Sequence, residues 1–125
     1  MRAAIIGNGG IAVSHRNAYK TLKEEGSDIV LQAICDIRPE KLEDNDGANV
    51  YTDIDAMLEA EKDNIDYVDI CLPTYLHAEV AIKCMKAGFH VLCEKPMALY
   101  PEETERMLEC SKETGKKLKI GRAHV

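Results

Sequence analysis

The stretch Ala3-Ala4-Ile5-Ile6-Gly7-Asn8-Gly9-Gly10-Ile11-Ala12 decides the fold. Ala3 to Ile6 form a compact apolar run, short enough for a buried strand, and it stops at a glycine. Beyond the glycines, Ile11, Ala12, His15, Ala18, Tyr19 and Leu22 recur close to helical spacing, and Gly26 is the expected stop. A strand, a glycine-rich turn and a helix in immediate succession form the opening unit of a nucleotide-binding α/β sheet.

Working outward, the same alternation continues. Asp28–Cys35 is expected as a second strand, Arg38–Asp46 as a turn or two of helix, and Val50 and Tyr51 as a short third strand. Asp53 is placed to cap a helix running to Glu61. Tyr67–Leu72 and Phe89–Cys93 read as strands, separated by a helix that Thr74 would cap and Gly88 would end. Pro101 suits the first position of a helix ending at Gly115, and Lys117–Gly121 supplies a sixth strand. Six strands alternating with helical segments, without hairpin turns, predict a doubly wound, Rossmann-like parallel sheet of order 3-2-1-4-5-6.

Composition is consistent with this reading and removes others. The 125 residues suit one domain, residues 1–125, able to bury roughly two-thirds of its unfolded surface. No apolar run nears the ~18 residues of a spanning helix, and the N-terminus lacks the features of a signal peptide. A net charge of −6 argues against a nucleic-acid partner. Eleven of the 22 acidic residues lie between Asp36 and Asp66, a run expected to be solvated surface. The five cysteines are odd in number and lack CxxC spacing. They are expected as buried free thiols in a cytoplasmic protein, with neither disulfides nor a metal site.

Four sets of residues carry chemistry. In Gly7-Asn8-Gly9-Gly10-Ile11-Ala12, Gly7 permits the turn and Gly9 permits close approach of a pyrophosphate. Ala12 keeps the helix near the sheet, and the helix N-terminus supplies N–H donors. Asp36, 24 residues beyond Ala12 and followed by Ile37 and Arg38, can accept from both ribose hydroxyls of NAD. Arg38 could pair with a 2′-phosphate, which leaves NADP open. Glu94-Lys95-Pro96 follows the fifth strand, at the carboxyl edge where ligands bind in such sheets. Lys95 is the candidate acid–base or alkoxide-stabilising group, and Pro96 is a candidate cis residue. Leu72-Pro73-Thr74, with His77 behind them, stands at the neighbouring strand end. His77 is expected to pack or hydrogen-bond beside the cofactor rather than to catalyse, and His15 is expected to be structural.

In this combination the sequence resembles the Gfo/Idh/MocA oxidoreductases. The resemblance rests on the G-x-G-x-x-A-x-x-H loop from Gly7 to His15, Asp36 with Pro39, and Pro73 to His77. It extends to Glu94-Lys95-Pro96 with Met97-Ala98-Leu99 and Pro101-Glu102-Glu103. It implies an NAD(P)-dependent dehydrogenase acting on a hydroxyl of a sugar, cyclitol or related polyol. Lys95 matches the family lysine that contacts substrate and nicotinamide. Leu72, Pro73 and Thr74 match the loop along the dinucleotide, and Glu94 matches a cofactor-side residue. The alternative is a non-catalytic NAD(P)-binding regulatory or redox-sensing module. A methyltransferase is disfavoured because no acid precedes Gly7 in the first strand.

Three departures stand out. Asp69 sits inside a strand, where it must be partnered, protonated or less buried than its neighbours. Tyr100 precedes Pro101 where Ser, Thr or Asn would cap better. Family members also carry a second domain with the substrate pocket and a catalytic histidine, whereas this chain stops at Arg122-Ala123-His124-Val125. The full-length protein is expected to be a homo-oligomer, and the 125-residue chain alone is expected to be inactive.

Overall fold

The computed structural model describes residues 1–121; the remainder of the expected domain, 122–125 with His124, lies outside the described residues. The chain runs β1 (Arg2–Ile6), α1 (Gly10–Glu24), β2 (Val30–Cys35), a 3-10 turn (Pro39–Leu42), β3 (Asn49–Tyr51) and α2 (Ile54–Ala60). It continues through β4 (Tyr67–Ile70), a 3-10 turn (Thr74–Leu76), α3 (His77–Lys86), β5 (His90–Glu94), α4 (Pro101–Thr114) and β6 (Leu118–Gly121). All six strands are parallel, in the order β3-β2-β1-β4-β5-β6 that the alternation predicts. No described helix is long and apolar enough to cross a membrane.

The sheet is covered unequally. Ala4, Ile6, Val68, Ile70, Val91 and Cys93 turn one face toward α2, α3 and α4, which contribute Met57, Leu58, Ala81, Met85, Met107 and Cys110. Ile5, Ile34 and Cys71 face the other way, against Ala12 of α1 and Leu42 of the first 3-10 turn. All five cysteines are free and buried, and burial pushes the thiols of Cys35, Cys84 and Cys93 up to about 12.

Several details differ from expectation. Helix α1 buries the stripe Ala12, His15 and Arg16, with Tyr19 half-buried, so Ile11 and Leu22 at its ends are left 40% and 42% exposed. Thr74 makes no cap. Pro73, held extended at ψ 150°, takes that place, and Thr74 opens a 3-10 turn that delays α3 to His77. Asp53 does cap α2, its carboxylate accepting from Ala56 N at 2.9 Å. Before α4, Glu103 reaches back so that Oε1 accepts from Tyr100 N at 3.3 Å, doing part of the work that Tyr100 cannot.

The acidic run is only partly solvated surface. Glu61 is 2% exposed and accepts hydrogen bonds from Gln32 Nε2 (3.1 Å), Asn49 Nδ2 (2.8 Å), Tyr51 Oη (2.7 Å) and Asn64 Nδ2 (3.3 Å). One carboxylate thereby ties β2 and β3 to the end of α2. Burial alone would raise its pKa; the four donors outweigh that and lower it. Glu61→Gln turns an amide NH2 toward donors and should cost about 1–3 kcal/mol at neutral pH. Because the folded-state pKa is depressed, the contribution is complete above the unfolded value of 4.5 and is lost as pH falls through the folded one. Urea denaturation of both proteins from pH 7 downward should show the difference shrinking with acidity.

Candidate functional site

The site assembles at the carboxyl ends of β1, β2, β4 and β5. At Gly7 the chain adopts φ +93°, and an added Cβ would lie 2.9 Å from the Cys71 carbonyl oxygen and 2.9 Å from Leu72 Cδ2. Both the conformation and the space require glycine there. Gly9 caps α1 with no side-chain hydrogen bond, and the first turn carries no acidic residue. The first turn of α1 therefore brings no carboxylate of its own to these N–H groups or to the positive end of the helix. A Cβ on Gly9 would meet only Arg38 Nη2, at 3.7 Å, so glycine there leaves room for a ligand rather than relieving a clash. Gly10 and Ile11 are exposed at the start of the helix, and Ala12 is fully buried beneath it.

Asp36 lies just past β2 and is 5% exposed. Its Oδ2 accepts from Asn8 N (2.8 Å) and Arg38 Nη2 (2.9 Å), and its Oδ1 accepts from Arg38 N and Nε, both at 2.9 Å. Desolvation would raise the Asp36 pKa, but the Arg38 guanidinium and the two backbone N–H groups hold it down at about 2. Arg38 keeps a half-exposed side chain, and Ile37 is 77% exposed beside it. Asn8 fastens the turn to the next loop, its Nδ2 donating to the carbonyls of Lys41 (2.6 Å) and Asp44 (2.9 Å). Arg16, a cation on the buried stripe of α1, clamps the same loop through Asp44 (3.2 Å) and Asp46 (3.1 Å). These long-range ties leave no local sequence signal except an arginine where an apolar residue belongs.

On the other side, Lys95 is exposed immediately after β5, its backbone N donating to Gly121 O at 3.3 Å, and the Lys95–Pro96 bond is cis. Leu72 and Thr74 are half-buried and Pro73 is exposed. His77 is 2% exposed, its Nε2 lying 2.9 Å from Leu72 O and its Nδ1 3.1 Å from Met97 O. With both ring nitrogens turned to backbone carbonyls, it braces two site loops and has no free nitrogen for proton transfer.

Asp69 is fully buried and partnered, the first of the three outcomes its position allows. Its Oδ2 lies 2.6 Å from His15 Nδ1 and accepts from Tyr19 Oη at 2.6 Å, while Cys71 Sγ lies 3.7 Å from Oδ1. His15, Asp69 and Cys71 are close enough together to suggest metal ligands. The two shortest contacts, however, are hydrogen bonds sharing one carboxylate oxygen, and burial pushes the Cys71 thiol well above the ordinary range, away from the thiolate a metal needs.

Comparison with known proteins agrees with this geometry. A family model described as the oxidoreductase family with an NAD-binding Rossmann fold, GFO_IDH_MocA, matches residues 1–122. The chain is 36% identical over 122 residues to D-glucoside 3-dehydrogenase of Escherichia coli, covering 94% of this chain and 33% of that protein. It is 34% identical over 116 residues to myo-inositol 2-dehydrogenase of Thermotoga maritima, covering 90% and 33%. Among solved structures, the WlbA dehydrogenase of Bordetella pertussis, in complex with NADH and UDP-GlcNAcA, superposes with a TM-score of 0.88 at 31% identity, over 97% of this chain and 34% of that one. The chain thus spans about a third of the length of these relatives. It belongs to the Gfo/Idh/MocA oxidoreductase family, of which it forms the NAD-binding Rossmann domain.

Proposed function

We propose that this chain holds the dinucleotide for a dehydrogenase that moves a hydride between nicotinamide and a hydroxyl-bearing carbon of a sugar, cyclitol or related polyol. The observation that carries the reading is the uncapped, acid-free N-terminus of α1 behind an open Gly9. Four N–H groups at a helix start need acceptors, and a pyrophosphate supplies them. The substrate class rests on relatives named for glucosides and inositol. The buried, unpaired thiols support a reducing cytoplasmic setting.

The residues divide the task. The Gly7–Ala12 turn would cradle the pyrophosphate, and Asp36 with Ile37 and Arg38 would meet the adenosine ribose. Leu72, Pro73, Thr74 and Glu94 would line the nicotinamide side, with His77 holding the Leu72 and Met97 carbonyls apart at a fixed spacing. NAD supplies the hydride acceptor. Lys95, exposed beyond β5, would hold the proton of the reacting hydroxyl and steady the developing alkoxide. The chain spans about a third of its relatives, and alone it should bind dinucleotide without turning over substrate.

Calorimetric titration of the chain with NAD and NADP tests the reading; absence of binding by either would overturn it. Gly9→Ala should keep stability and lose NAD affinity. Gly7→Ala should instead cost about 1–3 kcal/mol of stability through its backbone strain alone. Asp36→Ala should weaken NAD and relatively favour NADP, because it removes the ribose acceptor and frees the Arg38 guanidinium. Arg38→Ala should weaken NADP more than NAD. In the complete enzyme, Lys95→Ala should lower kcat by about 10²–10⁴-fold. On this chain the same substitution should leave NAD affinity nearly unchanged, and unaltered turnover would remove Lys95 from the mechanism.

A further inference from the structure

We propose that His15 is a positioning residue: an imidazolium clamped between Asp69 and Glu94 that ties α1 to the Glu94–Lys95 turn and sets where Lys95 stands. The proposal rests on the dinucleotide reading for its purpose, but its geometry is independent of that reading.

His15 is 7% exposed and lies on the buried stripe of α1, one turn beyond the glycine turn. Its two ring nitrogens face two carboxylates. Nδ1 is 2.6 Å from Asp69 Oδ2 on β4, and Nε2 is 3.7 Å from Glu94 Oε1 at the end of β5. A neutral ring carries one proton. Placed on Nδ1 for Asp69, that proton leaves a bare lone pair on Nε2 pointing at the Glu94 carboxylate, acceptor against acceptor. With both carboxylates ionised, only the doubly protonated ring makes both contacts favourable. Nε2 is buried and has no partner within hydrogen-bond length, so its link to Glu94 is charge attraction across a short gap.

The surrounding groups reinforce the charge. From α1, Tyr19 Oη donates to the same Asp69 oxygen and receives a hydrogen bond from Tyr67 Oη at 3.0 Å. Just past β4, Cys71 faces the other Asp69 oxygen with its thiol pushed well up by burial, and Tyr19 is likewise held neutral by burial and by Asp69. Among the described residues, the charged groups against the ring are therefore the two carboxylates. Burial pulls the His15 pKa down, but the hydrogen bond and charge of Asp69, followed by Glu94, outweigh it and leave it above 6.5. The clamp is thus complete below 6.5 and is released as pH rises through the higher folded-state value.

Heteronuclear NMR of the labelled, ligand-free 125-residue chain from pH 5 to 9 tests this. Both ring nitrogens of His15 should be protonated at pH 6, and the ring should titrate above the ordinary value of 6.5. The Glu94 carboxyl carbon and the Lys95 amide should shift with the same midpoint as the ring. Asp69→Asn should lower that midpoint by about one unit, tenfold in proton affinity. His15→Gln should abolish the pH-dependent step at Lys95. A His15 ring that titrates below 6.5, or Glu94 and Lys95 signals indifferent to its titration, would overturn the proposal. If His15→Gln fails to fold, the wild-type titration still decides. Failure of the chain to bind NAD would leave these signals unaltered and count against the dinucleotide reading instead.

Discussion

The end of β1 is where the structure has least freedom. Ile6 O accepts from Cys71 N at 2.8 Å and Gly7 N donates to Cys35 O at 2.7 Å, so the strand is stitched to both neighbours up to its last residue. The next step must turn into the left-handed region, with Cys71 O and Leu72 Cδ2 occupying the space where a side chain would begin. Only glycine satisfies both conditions. Once the chain turns there, Asn8 N falls against Asp36, α1 begins at Gly10 with its N-terminus open, and Ala12 settles on Ile5 and Ile34. The geometry of the glycine turn is thus a consequence of strand packing.

Much of this was legible because it is local. A short apolar run ending in glycine, followed by helical spacing, fixes strand, turn and helix from adjacent residues, and right-handed crossovers order the sheet. Asp53 marks a helix end through its carboxylate and Gly88, Pro101 and Gly115 through their own backbone preferences, and all act where the sequence places them. Thr74 misleads because Pro73 determines the cap position one residue earlier. What stayed illegible is long-range. Nothing beside Glu61 in sequence announces donors 29 residues away on Gln32. Arg16 likewise meets Asp46 and Asp44 only after α1 has docked. Asp69 was conspicuous as a strand carboxylate, yet its partners on α1 are visible only in three dimensions.

The loop after β2, the proposed adenosine side, shows opposed charges in one place. Asp36 is held ionised by donors that occupy both of its oxygens, and the strongest of them, Arg38, sits half-exposed at the rim of the glycine turn. A ribose diol would have to share those oxygens with Arg38 or move it aside. A 2′-phosphate would face the carboxylate's charge but gain a guanidinium. On the proposed dinucleotide reading, preference between NAD and NADP would depend on how easily the Arg38 fork leaves Asp36, a quantity set by solvent screening as much as by the identity of either residue.

The two faces of the sheet divide stability from function. The face under α2, α3 and α4 is a mainly apolar core, bordered at β3 by the buried Glu61 carboxylate with its donors, and its packing holds the strands in register. The α1 face carries Asp69 and Glu94 on its strands and Cys71 just past β4, and α1 answers with His15, Arg16 and Tyr19 rather than with a leucine stripe. Burying those groups is costly unless each finds a partner. The partners reach the two loops that frame the site: the loop after β2 through Arg16, and the turn after β5 through His15. An all-apolar α1 would pack on the same sheet, but it would leave both loops anchored only at their ends. Polar residues on a buried helix face are thus best understood as the means by which a rigid sheet transmits its order to the residues that must meet a ligand.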